Sequence, residues 1–330
     1  MKEEEIRPGN LMAENSKLHA KDVAEILIRR KEFKKIACPA CESKKQKFAF
    51  KKDGFNFAVC LKCGTLFINP RPSRELLADF YKNSRSIRHW SDKIFPASEK
   101  QRRSQIFYPR AKRIIGLCKK FKIKNGVLAD IGAGFGTFCQ EVKKLNFFKE
   151  IIAIEPSKKL AQVCRQKGIF VIEEMAENVN LEKIDVVTSF ELLEHLFWPK
   201  NFLCALSKNM SKNSLFILTT PNIRGFDLLT LGELSNNIKG PNHLNYFHPG
   251  SISLLLEGCG FEVVEVLTPG KLDAELVRKK ILQDDPGIFL NRPFIRHILV
   301  DKWKSVGNSF QHFLADNNLS SHLWVVAKKK

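Results

Sequence analysis

The sequence predicts an α/β fold, a mainly parallel sheet covered by helices on both faces, preceded by a small cysteine-bound unit and a helical cap. Three observations predict it. Short apolar runs near 127–131, 151–155, 169–173, 184–190, 214–220, 262–268 and 321–328 alternate with helical patterns, as βα units do. The first run ends in Asp130-Ile-Gly-Ala-Gly-Phe-Gly136, a glycine-rich turn from strand to helix. Cys38-Pro-Ala-Cys41 is followed, after eighteen residues, by Cys60-Leu-Lys-Cys63, the spacing of a four-thiolate metal site.

A chain of 330 residues has room for two or three compact units and a sizeable core. No apolar run approaches the roughly 20 residues needed to span a bilayer, and the start, Met-Lys-Glu-Glu-Glu, lacks the order of a signal peptide. A cytoplasmic protein with no membrane span is therefore expected. Nine cysteines, an odd number with four at metal spacing, argue for a reducing compartment rather than a disulfide framework. The net charge of +20 suits a nucleic acid, an anionic small molecule or an anionic membrane surface. The lysines are scattered in pairs such as Lys34-Lys35, Lys119-Lys120 and Lys143-Lys144, so a plainly solvated basic surface accounts for the charge equally well.

Read in order, the chain divides into an N-terminal helix (1–35), a zinc ribbon (36–72), a helical linker or lid (73–125) and a ligand-binding domain (126–330) with an insertion at about 268–320. Residues 1 to 14 read as a loose end around Pro8-Gly9, with Ser16 capping a helix to Lys35. In the ribbon, Lys47–Phe50 and Phe55–Val59 alternate like a hairpin turning at Asp53-Gly54. Four cysteines leave no open position on the metal, so Cys38, Cys41, Cys60 and Cys63 are expected to hold a structural zinc. The hairpin carries no aromatic-basic stripe, which leaves nucleic acid a less favoured partner. Ser73 then caps a helix through Tyr81. The pattern weakens toward Pro96, and a helix from Ser98 to Phe121 is expected to kink or break at Pro109.

Beyond this point the chemistry gathers. Glycines at 132, 134 and 136 let a ligand approach the backbone, and the following helix offers free N–H groups. The next strand delivers Glu155 at the distance at which an acid grips ribose hydroxyls. Asp130 ahead of the first glycine would repel a pyrophosphate and suits a cationic amino group. Three later stretches keep the same order: Ile154-Glu155-Pro156-Ser157, Asp185 through Phe190-Glu191-Leu-Leu-Glu194-His195, and Leu215 through Thr220-Pro221-Asn222.

Together these four stretches resemble the motifs of class I S-adenosylmethionine-dependent methyltransferases. The resemblance implies the Rossmann-like seven-stranded methyltransferase sheet with its last strand antiparallel, and S-adenosyl-L-methionine as cofactor. It implies cofactor contacts from Asp130, Gly132, Gly134, Gly136 and Glu155, an adenine site at Met175 and Ala176, and Phe190 and Glu191 at the methionine end. The stretch through Cys63-Gly-Thr-Leu-Phe-Ile-Asn-Pro-Arg-Pro72 resembles the ribbon ahead of many bacterial methyltransferases. Segments before the first motif often wall the substrate pocket in that class, which makes Tyr81, Trp90, Tyr108 and Arg110 candidates.

The acceptor side is expected in Gly240-Pro-Asn-His-Leu-Asn-Tyr-Phe-His-Pro249, a polar loop bounded by Gly and Pro. It resembles the loop of nucleotide-sugar C-methyltransferases. There a Tyr-His-Glu-His-Leu run supplies the catalytic His and Glu; here His243 falls on the base, while Asn242 replaces the glutamate and Gly240 the tyrosine. His243 is thus the candidate base, with Tyr246 and His248 as neighbours that orient it. The function expected is methyl transfer to a small anionic acceptor, a sugar or glycan precursor. Two alternatives stay open: an RNA or protein methyltransferase that uses the ribbon and basic surface, and a non-catalytic S-adenosylmethionine-binding module. In the insertion, Asp273, Arg278, Trp303 and His312 are candidates for closing the pocket or forming a dimer face; the oligomeric state is left open.

Overall fold

Seven strands form one sheet in the computed structural model, which describes residues 1–179, 183–283 and 292–330. They are β1 (Val127–Ile131), β2 (Glu150–Ile154), β3 (Phe170–Ile172), β4 (Ile184–Phe190), β5 (Met210–Pro221), β6 (Phe261–Leu267) and β7 (His322–Lys329). Their order across the sheet is β6-β7-β5-β4-β1-β2-β3. Strands β1 to β5 are parallel, and β7 runs antiparallel to both neighbours. Fold class and strand order are therefore as the methyltransferase resemblance implies.

Both faces of the sheet are covered, so its strands are apolar almost without interruption. On β5 the side chains alternate: Phe216 and Leu218 join one buried cluster, Leu215 and Ile217 the other. Three elements from the first half of the chain cover the second cluster through Ile114, Phe138 and Ala161. The first cluster reaches the cysteine hairpin through Phe57, Phe67 and Ile68. One disulfide, Cys204–Cys259, bridges Cα atoms 4.5 Å apart, where the cysteine count argued for a reducing compartment rather than a disulfide framework.

The hairpin turns where the sequence places it. Strands Gln46–Lys52 and Phe55–Cys60 pair across Asp53 (φ 48°) and Gly54 (φ 82°), the two left-handed residues of a tight hairpin turn. Leu66–Ile68 adds a third strand. A fourth comes from far along the chain: Asn245–Tyr246, inside the expected acceptor loop, pairs with Leu66 and Phe67.

The cap departs from expectation in three places. Residues 1 to 14 are not loose: helices span Glu3–Ile6 and Gly9–Ile28, Ile6 is buried, and Lys279 reaches Glu3 at 2.9 Å. Ser16 is no cap but lies within the second helix, its hydroxyl donating to the Met12 carbonyl. Nor does the lid break at Pro109. Helical structure runs from Arg85 to Lys120, with one wide turn at Trp90–Ile94 and another at Arg103–Phe107. Each precedes a proline, Pro96 or Pro109, and the wide turn relieves the clash that its ring would make with the carbonyl four residues back.

The insertion folds as helices Asp273–Gln283, Pro293–Arg296 and Trp303–Asp316; residues 284–291 of it lie outside those described. Asp273 is buried and accepts hydrogen bonds from Gln311 and Ser320, so it fastens the insertion to the start of β7. Arg278 stacks over Trp303 and His312 is exposed.

Candidate active site

The carboxyl edge of the parallel strands collects the side chains singled out above. Gly132, Gly134 and Gly136 all take left-handed φ, and a Cβ on Gly136 would stand 2.8 Å from the Cys164 sulfur. The turn thus approaches the helix after β2, Lys158–Gln166, more closely than any side chain permits. Glu155, at the end of β2, folds back across it. One carboxylate oxygen accepts the Gly134 N–H at 2.8 Å and the other the Ser157 N–H at 2.9 Å. Asp130 is 3% exposed and accepts from the Thr188 hydroxyl at 2.7 Å, with the Cys139 thiol beside it. Burial raises both carboxyls, Asp130 to about 7.

At the end of β4, Phe190 packs edge-on to Phe138 and carries the Arg110 guanidinium 4.7 Å above its ring centre. Arg110 also lies 3.2 Å from His322 Nε2, and His322 Nδ1 lies 3.4 Å from Glu191. Glu191 itself has a left-handed backbone, φ 54°, strain of the kind that concentrates at functional sites. Burial pushes its carboxyl up, but His322, Arg110 and the Thr219 hydroxyl outweigh it and hold it low. Arg110 is the only one of these groups that carries a fixed positive charge, set among Asp130, Glu191 and Phe190.

Four residues beyond the end of β4, at Glu194, the acceptor loop comes in. Leu244 and Asn245 donate their backbone N–H groups to the Glu194 carbonyl at 2.8 and 3.1 Å. His195 Nδ1 lies 2.6 Å from the Asn242 carbonyl, and His243 Nδ1 lies 3.3 Å from the Asn237 carbonyl. Both rings thereby keep their protons on Nδ1 and leave Nε2 as acceptor. The ligand-type atoms of Glu194, His195 and His243 lie within 4.8 Å of one another. Glu194 is 0% exposed, one oxygen bonded to Thr220 and the other without a partner; burial, with Glu191 adding to it, drives its pKa up. Burial and neighbouring His195 lower His243 to about 3.

The other candidates separate into those that reach this edge and those that do not. Tyr81 does, with its hydroxyl 3.3 Å from both His195 Nδ1 and the Asn242 carbonyl. Trp90 instead supports Arg102, and Tyr108 supports Lys112. The Tyr246 hydroxyl accepts the Lys239 N–H and donates to the Asn237 carbonyl, so it shapes the loop behind His243. His248 faces the hairpin, its Nε2 donating to the Cys63 carbonyl at 2.8 Å. Met175 stands half exposed beside the Ala176–Asn178 turn. His322 escaped sequence reading because its strand looked like plain core and nothing local marks the side chain that meets Glu191.

The four cysteines also come together. Cys38 and Cys63 lie 3.5 Å apart, as do Cys41 and Cys60, close to the ~3.8 Å edge of a sulfur tetrahedron around zinc. The two knuckles repeat each other: Glu42 N–H donates to the Cys38 carbonyl and Gly64 N–H to the Cys60 carbonyl, both at 2.9 Å, with left-handed φ at Glu42 and Gly64. The donor set suits one soft divalent ion.

A model of the methyltransferase domain family matches residues 99–266, half of the chain and the whole of the edge just described apart from Tyr81 and His322. The chain belongs to this methyltransferase family. A curated relative, the mitochondrial ubiquinone biosynthesis O-methyltransferase of Candida albicans, is 26% identical over 117 residues, 32% of this chain and 36% of that protein. This chain thus matches about a third of that relative's length. Among solved structures, an S-adenosylmethionine-dependent methyltransferase from Archaeoglobus fulgidus is 22% identical, with 72% of this chain and 100% of that one covered at a TM-score of 0.48. A possible histamine N-methyltransferase from Thermotoga maritima is 17% identical, with 73% and 98% covered at 0.47. Among the described residues of this methyltransferase no helix is long and apolar enough to cross a membrane.

Proposed function

We propose that this methyltransferase uses S-adenosyl-L-methionine to methylate a small anionic acceptor, a sugar or glycan precursor, in a cytoplasmic setting. The observation that carries the reading is the meeting, on one sheet edge, of the Glu155-bound glycine turn with the Glu194, His195 and His243 cluster. The cofactor supplies an electrophilic methyl group on a sulfonium, which alignment alone activates strongly. This chain's residues fit it. Glu155 offers carboxylate oxygens to ribose hydroxyls; Asp130 and Glu191 suit its cationic end, and Arg110 its carboxylate. Ala176 and Met175 would border the adenine.

On the acceptor side, as the cofactor's methyl group passed to the nucleophile, the free Nε2 of His243 would take the nucleophile's proton. An imidazole held neutral by burial is a ready acceptor in position but a weak base, so it suits a hydroxyl or acid already close to losing its proton. Tyr246 and His248 act behind it by fixing the loop. The four cysteines Cys38, Cys41, Cys60 and Cys63 would hold a structural zinc. The test is incubation of the zinc-loaded chain with the cofactor and a panel of sugar nucleotides, sugar phosphates and RNA, read by mass spectrometry. A one-methyl gain on an anionic sugar supports the proposal; a gain on RNA alone, falling steeply with salt, replaces it.

A further inference from the structure

Arg71 sits between two prolines at the end of the cysteine hairpin and is 0% exposed, an unusual place for a guanidinium. Among the described residues no carboxylate meets it. Its nitrogens donate to the Ile68 carbonyl at 3.2 Å, the Phe197 carbonyl at 3.1 Å, the Leu244 carbonyl at 3.4 Å and Asn245 Oδ1 at 2.9 Å. Those four acceptors belong to three segments: the hairpin's third strand, the chain after β4, and the acceptor loop. A buried cation that no anion faces is costly, and burial lowers Arg71 to about 9. The third strand, whose Ile68 carbonyl Arg71 holds, pairs with the strand that ends in Cys60, so the arginine ties the cysteine hairpin to the acceptor loop.

The acceptor loop is built onto this arrangement. Asn245 turns its amide nitrogen to the Leu196 carbonyl at 2.8 Å, and Ile68 N–H donates to the Leu244 carbonyl at 3.0 Å. His248 bonds the Cys63 carbonyl inside the second knuckle, and a Cβ on Gly64 would stand 3.0 Å from the same imidazole nitrogen. By contrast, the side-chain hydrogen bonds of Asp130 and Glu155 involve no hairpin residue.

We propose that Arg71 is a positioning residue that couples metal loading of the four-cysteine hairpin to the acceptor half of the site, and leaves the methyl-donor half independent. The metal then sets where His243 and Glu194 stand without touching either substrate. That the loop serves an acceptor rests on the methyltransferase reading above; the coupling itself does not.

The test follows amide hydrogen exchange over the full chain for the zinc-loaded protein, the protein stripped by a chelator, and Arg71→Lys, which keeps a charge but loses the planar fork. S-adenosylhomocysteine affinity and zinc content are measured on the same samples. The expected result is exchange across 240–248 faster by about tenfold or more in both altered samples. Arg71→Lys should retain zinc, and S-adenosylhomocysteine affinity should stay within about twofold in both. Faster exchange confined to 36–69 after chelation overturns the coupling, as does a zinc-loaded Arg71→Lys whose loop exchanges as in the wild type, or a wild-type chain that binds no zinc. If Arg71→Lys does not fold, the chelated wild type decides. A loop that responds in a chain that binds no S-adenosylhomocysteine upholds the coupling and contradicts the methyltransferase reading instead.

Discussion

The imidazoles of His195 and His243 meet edge to face with ring centres 4.9 Å apart, although they come from loops on different strands. His195 holds its Nδ1 on the Asn242 carbonyl of the acceptor loop and His243 on the Asn237 carbonyl just before it, so the Nε2 of His243 is left unprotonated in the cluster with Glu194, one of whose oxygens has no partner.

If His243 takes the acceptor's proton, His243→Ala lowers turnover with the true acceptor by about 100-fold or more, the usual worth of a positioned base. Cofactor affinity, measured by calorimetry, stays within about twofold because His243 touches none of the groups around the glycine turn. Unchanged turnover would remove His243 from the chemistry.

Asp130 links the cofactor site to pH. Burial raises it from an ordinary 3.8 to about 7, so much of it is protonated in the free chain below neutrality. Relative to the unfolded chain, this proton contributes stability that is complete below pH 3.8 and lost as pH rises through about 7. A cationic ligand favours the carboxylate form. Binding near pH 6 should therefore release most of one proton, and release should fade above about pH 8. Calorimetry in buffers of different ionisation enthalpy measures it, and Asp130→Asn should abolish it.

His19 works in the opposite direction. It is buried with Nε2 3.1 Å from the Gly240 carbonyl and Nδ1 unpartnered; burial first, then Lys239, lowers it from 6.5 to about 4. Between those values the unfolded chain binds the extra proton and the folded chain does not, so stability falls as pH drops from 6.5 toward 4. His243 extends the same trend to about 3. Thermal unfolding from pH 7 to 4 should show Tm falling, with a shallower slope in His19→Gln.

Legibility in the sequence followed the range of the forces involved. The glycine turn, the strand alternation, the Asp53-Gly54 hairpin and the paired cysteines are local patterns, and each lies where residue spacing puts it. Arg71 was read as the end of the ribbon, since its acceptors at Phe197 and Leu244 are 126 and 173 residues away. The pairing of Asn245 with Phe67 is hidden for the same reason: a two-residue strand has no periodicity to read. Pro109 misled for another reason, because a wide helical turn absorbs the ring where a kink or break was expected, and the same device precedes Pro96. Residues 1 to 14 looked loose by composition, yet Arg102 and Lys279 hold them through contacts that only the folded lid and insertion supply.

The most direct test of the central claim is calorimetric titration of the zinc-loaded chain with S-adenosylmethionine and S-adenosylhomocysteine, beside Asp130→Ala and Glu155→Ala. The account predicts binding in the micromolar range, weakened about tenfold or more by Glu155→Ala, as loss of charge-assisted hydrogen bonds implies, and weakened also by Asp130→Ala. A folded wild-type chain that binds neither ligand, or binds both unchanged in the two variants, would contradict it.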